Sequence, residues 1–139
     1  MADRLLAYAA THPDNELRFY ESDMILEIQA DASYLSRSNA RSVAGGIVYL
    51  IDKVNAGPAA QPNGAVSALS QAIDVVVASV GESEYAAVFK LAHQHGAWLR
   101  VVTEAMHHPQ PATTLWTYNE CAEGLANDTL NNKRSSEEH

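Results

Sequence analysis

The sequence predicts an α/β domain in which three consecutive strands form an antiparallel meander and are followed by helix, helix, strand and helix. Three observations carry that prediction. Between Met24 and Tyr34, the residues Leu26, Ile28, Ala30 and Ala32 alternate with Glu27, Gln29, Asp31 and Ser33, the two-residue period of a half-buried strand. Ser79-Val80-Gly81-Glu82 has the form of a capping box, in which a hydroxyl and a carboxylate three residues on satisfy each other's backbone donors at a helix start. Thr113 to Tyr118 then returns to β-branched and aromatic residues before Asn119, a favourable helix cap.

Taken in order, Asp3 to Thr11 reads as a short helix with Leu5, Leu6, Tyr8 and Ala9 on its apolar side, ended by the turn signal His12-Pro13-Asp14-Asn15. Leu17 to Tyr20 has room for a short extended segment. The alternation that follows sets Asp31 on the polar face of the first strand, pointing away from the core. Leu35 to Ser42, with Arg37 and Arg41, reads as a polar connection, and Val43 to Ile51 as a second strand. Its Gly45-Gly46 pair fits a bulge or a close backbone approach better than a phosphate cradle, because no helix follows directly. Pro58, Pro62, Gly57 and Gly64 make Val54 to Gly64 a loop, and Ala65 to Ala78 is a third extended stretch. After Ser79 the expected apolar stripe is Tyr85, Val88, Phe89 and Ala92, interrupted at Gly96. Trp98, Leu99, Val101, Val102, Ala105 and Met106 mark a second helical piece, ended by His107-His108-Pro109. Thr113 to Tyr118 is short enough for a buried strand. The last helix carries Cys121, Leu125 and Ala126, with Glu120 and Glu123 where a helix dipole favours acids. Beyond Asn131 there is no apolar pattern, and a disordered tail is expected over 131–139.

Composition narrows the function. A length of 139 residues with 47% hydrophobic residues suits one core, so residues 1–24 read as a lead segment to a domain over 25–130. The net charge of −8 offers no basic footprint for a phosphate backbone and disfavours charge-driven nucleic-acid binding. One cysteine cannot form an internal disulfide, and no leader-like or bilayer-length apolar run is present, so a cytoplasmic or nuclear setting without membrane insertion is expected.

Five segments, in order, resemble the ribonuclease H domain of copia-type retrotransposon polyproteins. They are Arg4-Leu-Leu-Ala-Tyr-Ala-Ala-Thr-His-Pro13, Met24-Ile-Leu-Glu-Ile-Gln-Ala-Asp31-Ala-Ser-Tyr-Leu-Ser36, Ala40-Arg-Ser-Val-Ala-Gly-Gly46, Ala78-Ser-Val-Gly-Glu-Ser-Glu84-Tyr-Ala-Ala87 and His108-Pro-Gln-Pro111. The first looks like the family's connector out of the polymerase. The resemblance implies a ribonuclease H-like mixed sheet flanked by helices, and cleavage of the RNA strand of RNA/DNA hybrids. Two Mg²⁺ or Mn²⁺ ions held by carboxylates would do that work, since hard cations want oxygen ligands and a metal pair can activate water and stabilise the departing oxygen. It makes Asp31 the central ligand and Glu84, ahead of Tyr85-Ala86-Ala87, the second. Glu82 is the rival, but the capping box already gives it a local role.

The chain departs from the family pattern twice. The third acid of a Thr-Asp-Asn context is replaced in Thr117-Tyr118-Asn119, and a neutral phenol supplies neither the charge nor the bidentate reach of a carboxylate. The family's C-terminal part, with a fourth acid, is expected to be missing after Lys133-Arg134-Ser135-Ser136, leaving Glu137 or Glu138 near that place. An impaired or inactive nuclease follows as the expectation. The alternative is a non-catalytic binding or oligomerisation module derived from that fold, with a homodimer open to it through an uncovered sheet region. Glu120 could lend a replacement carboxylate, although capping or dipole complementarity explains it more simply. His93 and His95 share no helix face and make a poor metal pair. His107-His108 suits a helix end, Cys121 reads as a small buried hydrophobe, and Arg37 and Arg41 as solvated.

Overall fold

A strand that alternates apolar and polar residues should sit with one face on a core, and strand β1 (Ile25–Arg37) does so at the centre of the sheet. The computed structural model describes residues 2–53 and 63–127. Around β1 are helix α1 (Ala2–Thr11), strands β2 (Arg41–Ile51) and β3 (Ala65–Ala72), and helix α2 (Val80–Leu91). A π-helical turn (Ala92–Gly96) leads into α3 (Ala97–Ala105), then strand β4 (Thr114–Trp116) and helix α4 (Glu120–Ala126). The sheet order is β3-β2-β1-β4, with β1, β2 and β3 antiparallel and β4 parallel to β1. This is an α/β fold with an open, mixed, four-stranded sheet. No helix among the described residues is long and apolar enough to cross a membrane.

The core lies between the sheet and α2. Leu26, Ile28 and Val48 pack with Leu91, and Ala44, Ile73, Val77 and Ala87 form an adjoining cluster. Each large aliphatic side chain buried there contributes about 1.5–3 kcal/mol. Gly46 is what lets the end of α2 settle on the strands. A Cβ at that position would strike the Gln29 carbonyl and come within 2.5 Å of Leu91 Cδ2, so Gly46 serves a close approach, whereas a Cβ at Gly45 would meet only ordinary contacts at 3.8 Å.

Several expectations are corrected. The polar connection over Leu35–Ser42 shrinks to the turn Ser38–Ala40, because β1 runs on to Arg37, which stands opposite Arg41. Asn39 and Ala40 take positive φ, 62° and 53°. Strand β3 stops at Ala72, not Ala78. The Arg41 guanidinium donates to the Ile73 carbonyl at 3.1 Å and to that of Asp74, drawing the chain out of the sheet and leaving Val75 and Val76 exposed. Arg41 is therefore a clamp and not a solvated side chain. The buried face of α2 is Ser83, Glu84, Ala87, Val88 and Leu91, whereas Tyr85 and Phe89 face outward. Gly96 does not break the helical run; the π turn carries it through, with Gly96 packed where a Cβ would lie 2.6 Å from Ile28 Cδ1. Strand β4 is a three-residue edge with Thr114 and Leu115 exposed, not a buried strand. Leu17–Tyr20 forms no strand, although Asn63 brackets Tyr20 by hydrogen bonds of 2.7 Å to its backbone N–H and carbonyl. The loop over Val54–Gly64, except Asn63 and Gly64, and the tail over 131–139 lie outside the described residues.

Candidate functional site

Asp31 stands exposed on β1 opposite Gly45, as the two-residue period requires. The Ala32 N–H donates to its Oδ1 at 2.9 Å. Helix α2 brings Glu84 to the same place from the other side. Ser79 caps that helix, accepting from the Glu82 N–H at 3.1 Å. Glu82 Oε2 in turn accepts from the Ala78 N–H at 2.7 Å, one residue short of the cap's own amide. The rival carboxylate is thus committed to the helix start, and Glu84, two residues on, is turned toward the sheet.

Glu84 is 8% exposed, and its Oε2 is buried with no hydrogen-bond partner. Burial pushes its carboxyl above the usual range, the negative charge of Asp31 adds to that, and the Ala32 amide partly offsets both. The Ala32 N–H is thus bonded to Asp31, and Glu84 lies near enough for the Asp31 charge to act on it. Tyr118 is 83% exposed just beyond β4, where its hydroxyl accepts from Gln29 Nε2 at 2.8 Å. Gln29 is two residues before Asp31 on the same face of β1, so the phenol lies along the same edge of the site.

Glu120 is exposed in the first turn of α4, whose Asn119 cap accepts from the Ala122 N–H at 3.0 Å. Glu137 and Glu138 lie outside the described residues. Among the described residues no group of three or more His, Cys, Asp or Glu side chains is arranged to hold a metal ion. The orphaned Oε2 of Glu84 beside Asp31 supplies hard oxygen donors suited to one divalent cation completed by water. Two ions would need a further carboxylate.

No family model, curated protein or solved structure matches the chain.

The sequence missed a second acid. Glu27 belongs to the polar set of β1, yet it is 1% exposed. Its Oε1 accepts from the Tyr49 hydroxyl at 2.9 Å and from Trp116 Nε1 at 2.7 Å, while Oε2 is buried without a partner. Ile25, Tyr49 and Ile51 make this stretch of the second sheet face an apolar cluster. Burial, joined by the Glu27 carboxylate, pushes the Tyr49 phenol well above the ordinary tyrosine range. The signal available was the β-rich run Val43–Ile51, whose two faces are both apolar around Tyr49. Cys121 is exposed, correcting its expected burial. His95 Nδ1 is 2.6 Å from Ser67 Oγ, while the His93 ring stacks on Phe89 at 5.7 Å, so the two histidines serve different contacts.

Proposed function

We propose that this chain is a ribonuclease H-like domain of copia-type descent, whose Asp31 and Glu84 hold a single Mg²⁺ or Mn²⁺ ion and whose hydrolysis of RNA/DNA hybrids is impaired or lost. The observation that carries the reading is the buried, orphaned carboxylate of Glu84 facing the charge of the exposed Asp31. Like charges brought together cost stability unless a proton or a cation offsets them, and a bound cation would offset them where Glu84 is ionised. The order of strands and helices is compatible with the reading. When bound, the ion would supply Lewis-acid polarisation of a phosphoryl oxygen. Asp31 would orient the ion from the strand, and Glu84 would neutralise it from the helix. Tyr118 offers a phenol at the position of the third acid, which leaves the second ion without a charged ligand. The net charge of −8 adds a repulsive term against a hybrid's phosphates.

The test is hybrid cleavage in Mg²⁺ and in Mn²⁺ by the chain as it stands, by Tyr118→Asp and by Asp31→Asn, with Mn²⁺ binding followed by electron paramagnetic resonance. The expected result is Mn²⁺ binding that Asp31→Asn abolishes, and cleavage only by Tyr118→Asp. Absence of Mn²⁺ binding in the millimolar range, or cleavage that survives Asp31→Asn, sinks the reading. Among the described residues, cavities lined by Thr113 and Leu115 beside β4 favour the second reading, a non-catalytic binding module.

A further inference from the structure

Glu27 is a buried acid for which the Asp31 and Glu84 site has no use. Its Oε1 accepts from the Tyr49 hydroxyl at 2.9 Å and from the Trp116 indole N–H at 2.7 Å. Its Oε2 is buried with no hydrogen-bond partner among the described residues. An amide would accept the same two hydrogen bonds at less desolvation cost, so the two donors alone do not account for a carboxylate here. A buried polar atom left without a partner marks strain, an internal water or ion, or catalytic or redox work. What a carboxylate adds to an amide is the capacity to take a proton.

The neighbouring phenol is the group with a proton to give. Tyr49 is 5% exposed and packs with Ile25 and Ile51. Burial, joined by the Glu27 carboxylate, holds its proton more tightly than usual, so the phenolate does not form in the neutral range. Removal of one electron reverses that, because an oxidised phenol is a strong acid. The acceptor is already in place, at hydrogen-bond distance from the phenol oxygen, and neither group has to move. Ile25 and Ile51 keep water and other phenols from the ring, which protects a radical formed there. Trp116 is half-buried and bonded to the same carboxylate oxygen, which gives the departing electron an aromatic neighbour toward the surface.

We propose that Tyr49 is a one-electron redox site, which gives its electron to an outer-sphere one-electron oxidant and its phenol proton to Glu27. The oxidant gains one electron. The Tyr49 O–H bond breaks as an O–H bond forms on Glu27 Oε1, and the products are a neutral tyrosyl radical, a protonated carboxyl and the reduced oxidant. The site stands whether or not Asp31 and Glu84 bind metal.

The test is flash oxidation of the full chain by photogenerated tris(bipyridine)ruthenium(III), read by freeze-quenched electron paramagnetic resonance and time-resolved infrared difference spectra. The parent is expected to give a neutral tyrosyl radical that persists after the radical of N-acetyltyrosinamide has decayed under the same flash. A protonated-carboxyl band should grow and decay with it. Tyr49→Phe should remove both, leaving the short-lived signal of the exposed tyrosines. Glu27→Gln keeps an oxygen for the two donors and cannot take the proton, so the persistent radical should form about 100-fold more slowly. Far-UV circular dichroism checks that each variant is folded. The proposal is overturned by parent radicals that decay as fast as the free amide, by a persistent radical that has an indole spectrum or survives Tyr49→Phe, or by formation that Glu27→Gln leaves unchanged. Where a variant fails to fold the parent decides alone, since a persistent radical without the carboxyl band is equally fatal.

Discussion

Glu84 shows how one side chain can report on its surroundings through pH. Burial and the charge of Asp31 both disfavour its ionised form, so its native proton affinity lies above that of the unfolded chain. Between the ordinary carboxylate range and the raised native value, the folded protein keeps a proton that the unfolded chain has released. Stability therefore falls as pH rises through that window and is greatest below it. Glu84→Gln removes the effect. Thermal melts from pH 4 to 8 should find this variant more stable by on the order of 1 kcal/mol at pH 7, with a flatter pH profile than the parent. A parent profile that rises across the window would contradict the assignment. Trp116 tests the other buried acid. Its indole N–H is one of two donors to Glu27 Oε1, on a carboxylate whose second oxygen is already orphaned. Trp116→Phe should cost about 1–3 kcal/mol in urea denaturation, since it strips a buried acceptor of a partner.

Among the elements, the inverse exchanges Ala40→Gly and Gly46→Ala should act in opposite directions. Ala40 closes the β1–β2 turn at φ 53°, a backbone region that favours glycine, so Ala40→Gly should stabilise by about 1 kcal/mol. Gly46 lies where any Cβ meets the Gln29 carbonyl and Leu91, so Gly46→Ala should destabilise by about 1–3 kcal/mol as sheet or helix shifts. Equal signs in chemical denaturation would refute the pairing. The elements also mark how far sequence reasoning reaches. The alternation over 24–34 located β1 and correctly put Asp31 in solvent. The same alternation put Glu27 there too, because a period of two tells which residues share a face and not whether that face is wet. The capping box fixed the start of α2, since its chemistry is local. The buried stripe came out one residue off, because Tyr85 and Phe89 compete with Ala87 and Leu91 in apolar character, and the choice is made by the sheet beneath. Nothing in Ala92-His-Gln-His-Gly96 announces a π turn. Asp31 and Glu84 were singled out through a likeness of motif. Their 53-residue separation carries no distance of its own, and only the docking of α2 on β1 brings them together.

For the whole molecule, charge links metal binding to stability. Seventeen acidic residues against nine basic ones give a chain that repels itself, and the Asp31–Glu84 pair concentrates that repulsion. If the pair binds Mg²⁺ with a dissociation constant of about 1 mM, then 10 mM MgCl₂ adds about 1.4 kcal/mol by mass action, roughly 4 °C in Tm. NaCl at matched ionic strength should give less, and Asp31→Asn should erase the difference. Equal stabilisation by the two salts in the parent would mean general screening and no site.

The parallel pairing of β1 with β4 has a further consequence, for synthesis. The central strand finds one neighbour almost at once, across the turn at Ser38–Ala40. Its other neighbour is encoded far downstream, since Glu27 pairs with Thr114. At about 5–20 residues per second, the ribosome takes roughly 4–17 s to make the intervening stretch. During that interval the nascent hairpin holds Glu27 without Trp116, and the outer side of β1 is open to any extended chain nearby. Retention by ribosome-associated chaperones should therefore persist until residue 116 has left the exit tunnel, and end soon afterwards.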